Sequence, residues 1–206
     1  MTSSISLADP RQNPAYRKTL LGSLVVAALI IICSLVLREC RGGLPLSYER
    51  SSTERQNATV ERVIDGDSVI LAQSGSTASY RLLAIDAPEI SSSKHASRQA
   101  ARYKLTSSAL QSLGLRSKKR LQDILPRRSE VEIEFDVKPL DKYKRPLVYL
   151  YLPGKEVSVN ELLLGEGNAW FFDPAPNNRF TLRLREASNR SKKRRQGLWQ
   201  LLPPSP

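Results

Sequence analysis

The amino-acid sequence predicts an α+β domain set behind a single transmembrane helix, and three features carry that expectation. Apolar and polar residues alternate in five short stretches after residue 58, the period-two signature of half-buried strands. Apolar residues at helical spacing fill the gap between the third and fourth stretches and follow the fifth. Residues 19–37 contain no charged side chain.

Residues 1–18 form an N-terminal tail. As a helix, residues 19–37 would reach roughly 28 Å at 1.5 Å per residue, enough to cross a bilayer core. Arg17 and Lys18 flank the run on one side and Arg38 and Arg41 on the other, which argues against a helix buried in a globular core. A cleaved signal peptide is the rival reading. Against it, the apolar run is long, and Arg38, Glu39 and Cys40 stand where a cleavage site needs small residues. A short tail ahead of one anchor leaves the larger C-terminal portion outside the cytoplasm, although the balanced basic flanks do not themselves set orientation. The expectation is a single-pass membrane protein with an extracytoplasmic domain. Residues 38–57, rich in Gly, Ser, Pro and charge, read as a linker to a domain over 58–200, and 201–206 as a frayed tail.

The five strands are expected at 59–63, 68–72, 80–85, 131–137 and 147–152. In the fourth, Val131, Ile133 and Phe135 face one way and Glu130, Glu132 and Glu134 the other, as a strand with one buried face requires. Gly66 and Gly75 fall in polar connections, so the first three strands should form a meander of hairpins. Between the third and fourth strands, Ala96, Ala100, Tyr103, Leu110 and Leu113 keep helical spacing, giving a long helix within 93–125 with a second short one at 117–124. Two further helices are expected at 157–164 and 180–195, with Gly165 and Gly197 at or beyond their ends.

The formal net charge is +12, and +9 of it lies beyond residue 50. So basic a domain attracts polyanions, nucleic acid first and anionic lipid second. The only two cysteines, Cys33 and Cys40, lie in or beside the apolar run, so the domain uses neither disulfides nor thiol chemistry. With His95 as the single histidine, zinc sites and histidine-activated nucleophiles are not expected. Hydrolytic chemistry would have to come from carboxylates, arginines and a hard cation.

Charge is concentrated in three segments where strands end or turn: Asp65-Gly66-Asp67-Ser68, Arg81 through Glu89, and Asp141-Lys142-Tyr143-Lys144-Arg145. Asp67 should open the second strand and Asp86 close the third, so the two carboxylates can meet at one end of adjacent antiparallel strands. Such a pair suits an oxygen-seeking cation, because each carboxylate otherwise resists the other's ionisation. Glu89 is the candidate to orient or deprotonate an attacking water. Arg81 and Arg145 are the candidates to neutralise charge on phosphate oxygens. Taken singly, each segment also reads as an ordinary turn or a solvated rim.

In combination, these segments resemble the staphylococcal nuclease (thermonuclease-like) family. The likeness is carried by Val63-Ile64-Asp65-Gly66-Asp67-Ser68-Val69, Arg81-Leu82-Leu83 through Asp86-Ala87-Pro88-Glu89, and the 141–145 segment. Val159-Asn160-Glu161 with Gly165, Pro176-Asn177-Asn178 and Gly197-Leu198-Trp199 extend it. The resemblance implies a five-stranded OB-fold β-barrel with three or four helices, and Ca2+ held by Asp67, Asp86 and the backbone carbonyl of Ala87. It implies Arg81 and Arg145 as phosphate ligands, Glu89 on the water, and Lys142 and Tyr143 near a terminal phosphate. The implied activity is calcium-dependent cleavage of DNA and RNA to 3′-phosphorylated products by a monomeric domain with no obligate protein partner.

Some positions depart from the family pattern. Ala87 replaces a frequent threonine but keeps the carbonyl. Lys144 and Pro146 stand where the best-known member has glycines. Phe172 replaces a tyrosine expected to stack on a base, which loses a hydroxyl and keeps the stacking face. The insert at 116–128 is longer and more basic than expected, with a role as backbone ligand or barrel cap left open. The basic residues between 179 and 195 read either as a solvated helix face or as a track for nucleic acid. A catalytically silent OB-fold module that binds single strands or a protein partner is the alternative function. Silent copies should have lost one or more of Asp67, Arg81, Asp86, Glu89 and Arg145, and all five are present.

Overall fold

The computed structural model describes residues 54–202. The expected tail, the transmembrane helix at 19–37, most of the linker and the last four residues lie outside them. Among the described residues no helix is long and apolar enough to cross a membrane.

Strands β1 (Gln56–Val63), β2 (Ser68–Gln73) and β3 (Ser76–Leu82) form the expected antiparallel meander. Ser74 and Gly75 between β2 and β3 both take positive φ, 49° and 78°. That is the two-residue turn whose twist matches a hairpin. A short strand β4 (Ile85–Asp86) follows, then helices α1 (Lys94–Tyr103) and α2 (Ser107–Ile124). Strands β5 (Glu130–Leu140) and β6 (Pro146–Tyr151) precede helix α3 (Val159–Gly165), strand β7 (Trp170–Phe171), helix α4 (Thr181–Lys193) and a 3-10 turn at Gly197–Gln200.

Five strands close a barrel in the order β1-β2-β3-β6-β5. All neighbours are antiparallel except β3 and β6, which run parallel with Arg81 opposite Leu147 and Leu82 opposite Val148. The barrel closes through β3 and β6 over two residue pairs only, and five strands in this arrangement make the OB-type barrel that the sequence led us to expect. Val60, Val69, Leu71, Leu82, Ile133 and Val148 fill its interior.

Four departures from expectation have physical causes. The third strand, expected to run through Ile85, leaves the barrel at Ala84, whose φ of 62° turns the chain. Ile85 and Asp86 instead pair with Phe171 and Trp170 in a separate two-stranded ladder. Because Ile85 is buried there too, its apolar character could not distinguish the two placements. The helix expected to run through 93–125 is broken at Lys104, which takes φ 54°, and the Thr106 hydroxyl then caps α2 by accepting the Ala109 N–H at 3.2 Å. The short helix expected at 117–124 is therefore the second half of α2. On β5, Glu134 and Asp136 are buried rather than solvated, because the segment before α4 covers them. The Arg179 guanidinium donates to Glu134 at 2.5 Å, and the Arg179 N–H and the Tyr149 hydroxyl donate to Asp136. Finally, Leu202, expected in a frayed tail, is buried in a second apolar cluster with Leu110, Leu113, Trp170 and Leu198. In that cluster Tyr103 stacks on Trp170 with ring centres 3.8 Å apart.

Asn160, near the start of α3, ties the helix to the barrel. Its Nδ2 donates to Leu83 O at 2.8 Å and Val148 O at 3.2 Å, and its Oδ1 accepts the Leu150 N–H at 3.0 Å. The residue is fully buried, so no water can replace these partners. Asn160→Ala should lower the unfolding free energy by roughly 2–3 kcal/mol or more, the cost of stranding buried backbone groups, read by denaturant titration.

Candidate active site

The site begins at the turn between β1 and β2. A Cβ on Gly66 would lie 2.6 Å from Ala87 Cβ and 2.7 Å from Ser117 Cβ, so only glycine lets this turn pack against both. Asp65 Oδ1 accepts the Asp67 N–H at 3.1 Å and shapes the turn. Asp67, only 2% exposed, is thereby aimed inward. Its Oδ1 accepts the Ser68 hydroxyl at 2.9 Å and an Arg81 N–H, and its Oδ2 accepts the Ala87 N–H at 2.7 Å.

Asp86, delivered by β4, places Oδ1 3.4 Å from Arg81 Nη2. The two carboxylates that the sequence places at one strand end both reach the Arg81 guanidinium, which lies between them. Burial pushes the Asp67 carboxyl up to about 8, and the Arg81 charge and the Ala87 N–H only partly offset that. Burial also works against the Arg81 charge, but Asp67 and Asp86 more than compensate and hold its pKa above the ordinary value.

Ionising both Asp67 and Asp86 beside a single guanidinium would need further positive charge, and every donor they and Ala87 offer is oxygen. Asp67, Asp86 and the carbonyl of Ala87 therefore fit a hard divalent cation that completes its shell with water. Among the described residues there is no cluster of three or more His, Cys, Asp or Glu placed to hold a metal ion, so this set would rely on two side chains and a carbonyl.

Glu89 follows on the same segment. Its N–H donates to Gln99 Oε1 at 2.9 Å, and its Oε1 lies 2.8 Å from His95 Nδ1. Arg145 is set by the β5–β6 connection, where one carboxylate organises the whole turn. Asp141 Oδ1 accepts the N–H groups of Tyr143 and Arg145 at 2.8 and 2.9 Å, and Oδ2 accepts Arg145 Nε at 2.8 Å. Partial burial would raise the Asp141 carboxyl, but these donors outweigh it and hold it below its ordinary value. Lys144 takes φ 63°, a conformation that costs a non-glycine residue roughly 1–2 kcal/mol.

Arg81, Glu89, Arg145, Lys142, Tyr143 and Phe172 all line one cleft of about 840 Å³. Asp67, Asp86 and Ala87 are not on its wall. The two acids adjoin it through Arg81. Tyr143 and Phe172 are 68% and 59% exposed, and Lys142 Nζ lies 4.9 Å from the centre of the Tyr143 ring.

Sequence reasoning missed three residues here. Asp141 was seen only as part of a charged segment. His95, set aside as a lone histidine, lines the cleft beside Glu89. Gln99, 3% exposed, donates from Nε2 to Asp86 Oδ2 at 3.0 Å and to Ala87 O at 2.9 Å. The available signal was spacing, because residues 95 and 99 share a helix face. On the basic stretch near α4, Arg179, Arg183 and Arg185 are paired with Glu134, Glu161 and Asp173. These pairings favour the structural reading of that stretch at these three positions. In the basic insert, Arg120 makes a two-pronged pair with Glu166.

The closed barrel and this cleft define an OB-type domain that gathers two arginines and a glutamate at one opening. Residues 79–201 match the family model described as staphylococcal nuclease homologue, and the chain belongs to that family. It is 26% identical over 184 residues to the thermonuclease of Staphylococcus intermedius, covering 89% of this chain and 99% of the relative. Similarity to the thermonuclease of Staphylococcus hyicus is 28% over 186 residues, covering 89% and 98%. Endonuclease YncB of Bacillus subtilis (strain 168) is 29% identical over 163 residues, covering 78% and 69%.

Helix α2 backs the Glu89 segment without a side chain at Gly114. A Cβ there would lie 2.5 Å from Pro88 O and 3.1 Å from the Glu89 backbone. Glycine to alanine inside a helix ordinarily stabilises by about 1 kcal/mol. At this position Gly114→Ala should instead destabilise by roughly 1–3 kcal/mol through overpacking, a reversal of sign that chemical denaturation will read.

Proposed function

We propose that the chain is a calcium-dependent endonuclease that hydrolyses phosphodiester bonds of DNA and RNA and leaves 3′-phosphorylated products. The observation that carries the reading is the grouping of Arg81, Glu89 and Arg145 on one cleft, with the Asp67–Asp86 pair directly behind Arg81. Family membership and relatives named thermonuclease and endonuclease support it.

The chemistry follows from the groups present. Glu89 accepts a proton from a water aligned with the scissile phosphorus. The water oxygen bonds to phosphorus as the bond to the 5′-oxygen breaks, the departing alkoxide takes a proton from solvent water, and Glu89 returns its proton to solvent. Arg81 and Arg145 donate to the equatorial oxygens, where charge accumulates as phosphorus becomes five-coordinate, and a guanidinium keeps its proton throughout. A bound calcium ion, held by Asp67, Asp86 and the Ala87 carbonyl, would supply positive charge that lets a dianionic transition state approach two carboxylates. Lys142 and Tyr143 hold a terminal phosphate, and Phe172 offers a flat face for a base.

In this proposal the domain works as a monomer at a membrane surface, tethered through residues 19–37 and facing away from the cytoplasm. Protease added to sealed cells should then degrade the domain, and protection until lysis would reverse the orientation.

The purified full-length chain should cut denatured DNA and RNA when calcium is supplied and stop on chelation, with termini assigned on the products. Glu89→Ser should lower the rate about 10²–10⁴-fold and Arg145→Ala about 10²–10³-fold, with unfolding midpoints unchanged. Undiminished cleavage by the double variant would overturn the mechanism.

A further inference from the structure

Helix α1 turns one polar face toward the segment that bears the carboxylates. Gln99 holds the backbone of that segment, accepting the Glu89 N–H and donating to Ala87 O, and also holds the Asp86 side chain. One turn earlier on the same face, His95 meets the Glu89 side chain itself at 2.8 Å. Glu89 is therefore anchored twice from α1, once at its backbone and once at its carboxylate.

A carboxylate can only accept, so His95 Nδ1 must carry the hydrogen in this contact. The other ring nitrogen lies 3.8 Å from Asp86 Oδ1, beyond hydrogen-bonding distance. Among the described residues Glu89 Oε2 has no hydrogen-bond partner, so one carboxylate oxygen is tethered and the other is left for a ligand. A glutamate side chain has three rotatable bonds, and an unanchored one would spend much of its time away from the water it must align. The His95 side chain is 42% exposed, so the core does not depend on it.

We propose that His95 is a positioning residue for Glu89, orienting the carboxylate toward the attacking water by donating from Nδ1. The inference rests on the nuclease reading of the cleft and deepens it. His95 makes no contact with phosphate in this scheme and acts only through Glu89.

The test is a double-mutant cycle in the full-length chain, with calcium and denatured DNA, measuring kcat and KM separately. His95→Ala should lower kcat about 10–100-fold, the scale of a misplaced catalytic group, with KM unchanged. His95→Asn, whose amide nitrogen can occupy the place of Nδ1, should recover most of the loss. In a Glu89→Ser background, His95→Ala should cause no further loss, because its target is gone. A loss appearing in KM, a loss that multiplies with that of Glu89→Ser, or no rescue by asparagine would overturn the inference. Loss at Glu89 with none at His95 would overturn this inference alone. Full activity of Glu89→Ser would overturn the reading of the site and this inference with it.

Discussion

Burying a carboxylate at the end of a small barrel is the constraint around which this domain is organised. Taking an ion out of water costs several kcal/mol even after relaxation, and Asp67 is almost entirely enclosed. The surrounding structure answers with three donors: the Ser68 hydroxyl, the Ala87 N–H and the Arg81 guanidinium. Each comes from a different part of the chain. Ser68 opens β2, Arg81 lies near the end of β3, and Ala87 follows β4, so satisfying one side chain fixes the relative positions of three segments. Gly66 makes the arrangement possible by letting the turn approach Ala87 without a side chain between them.

The arrangement remains electrostatically incomplete. Arg81 serves two carboxylates at once, and burial still holds Asp67 near 8. A buried acid whose ionisation is opposed is a poor way to stabilise a fold, but under the proposed function it leaves a place for a cation beside an anionic substrate. Arg145 contrasts with it, since its turn is fully knit by Asp141 and its guanidinium is held at the cleft by an ion pair with a single acid.

Much of this was legible in the sequence because the barrel writes itself in period two. Val131 and Ile133 inside, Gly75 at a hairpin and Asp67 next to β2 all follow from local rules. What escaped was tertiary in origin. Ala84 and Lys104 break regular elements by taking positive φ without being glycine, and no periodicity marks that. Glu134 and Asp136 alternate as solvated residues should, yet they are covered by a segment more than forty positions away. A single histidine argues against zinc sites and histidine-activated nucleophiles, but that says nothing about His95 serving a neighbouring carboxylate.

The two-stranded ladder of β4 and β7 has a consequence of its own. Asp86 faces Trp170 across it, and the next residue after β7 is Phe172, whose N–H donates to Ala84 O at 3.0 Å. The aromatic rim and Asp86 are thus joined by a few peptide units, independent of the barrel wall. Under the proposed chemistry, the offset between a stacked base and the bond being cut is a backbone dimension, so this miniature ladder acts as a ruler for the substrate.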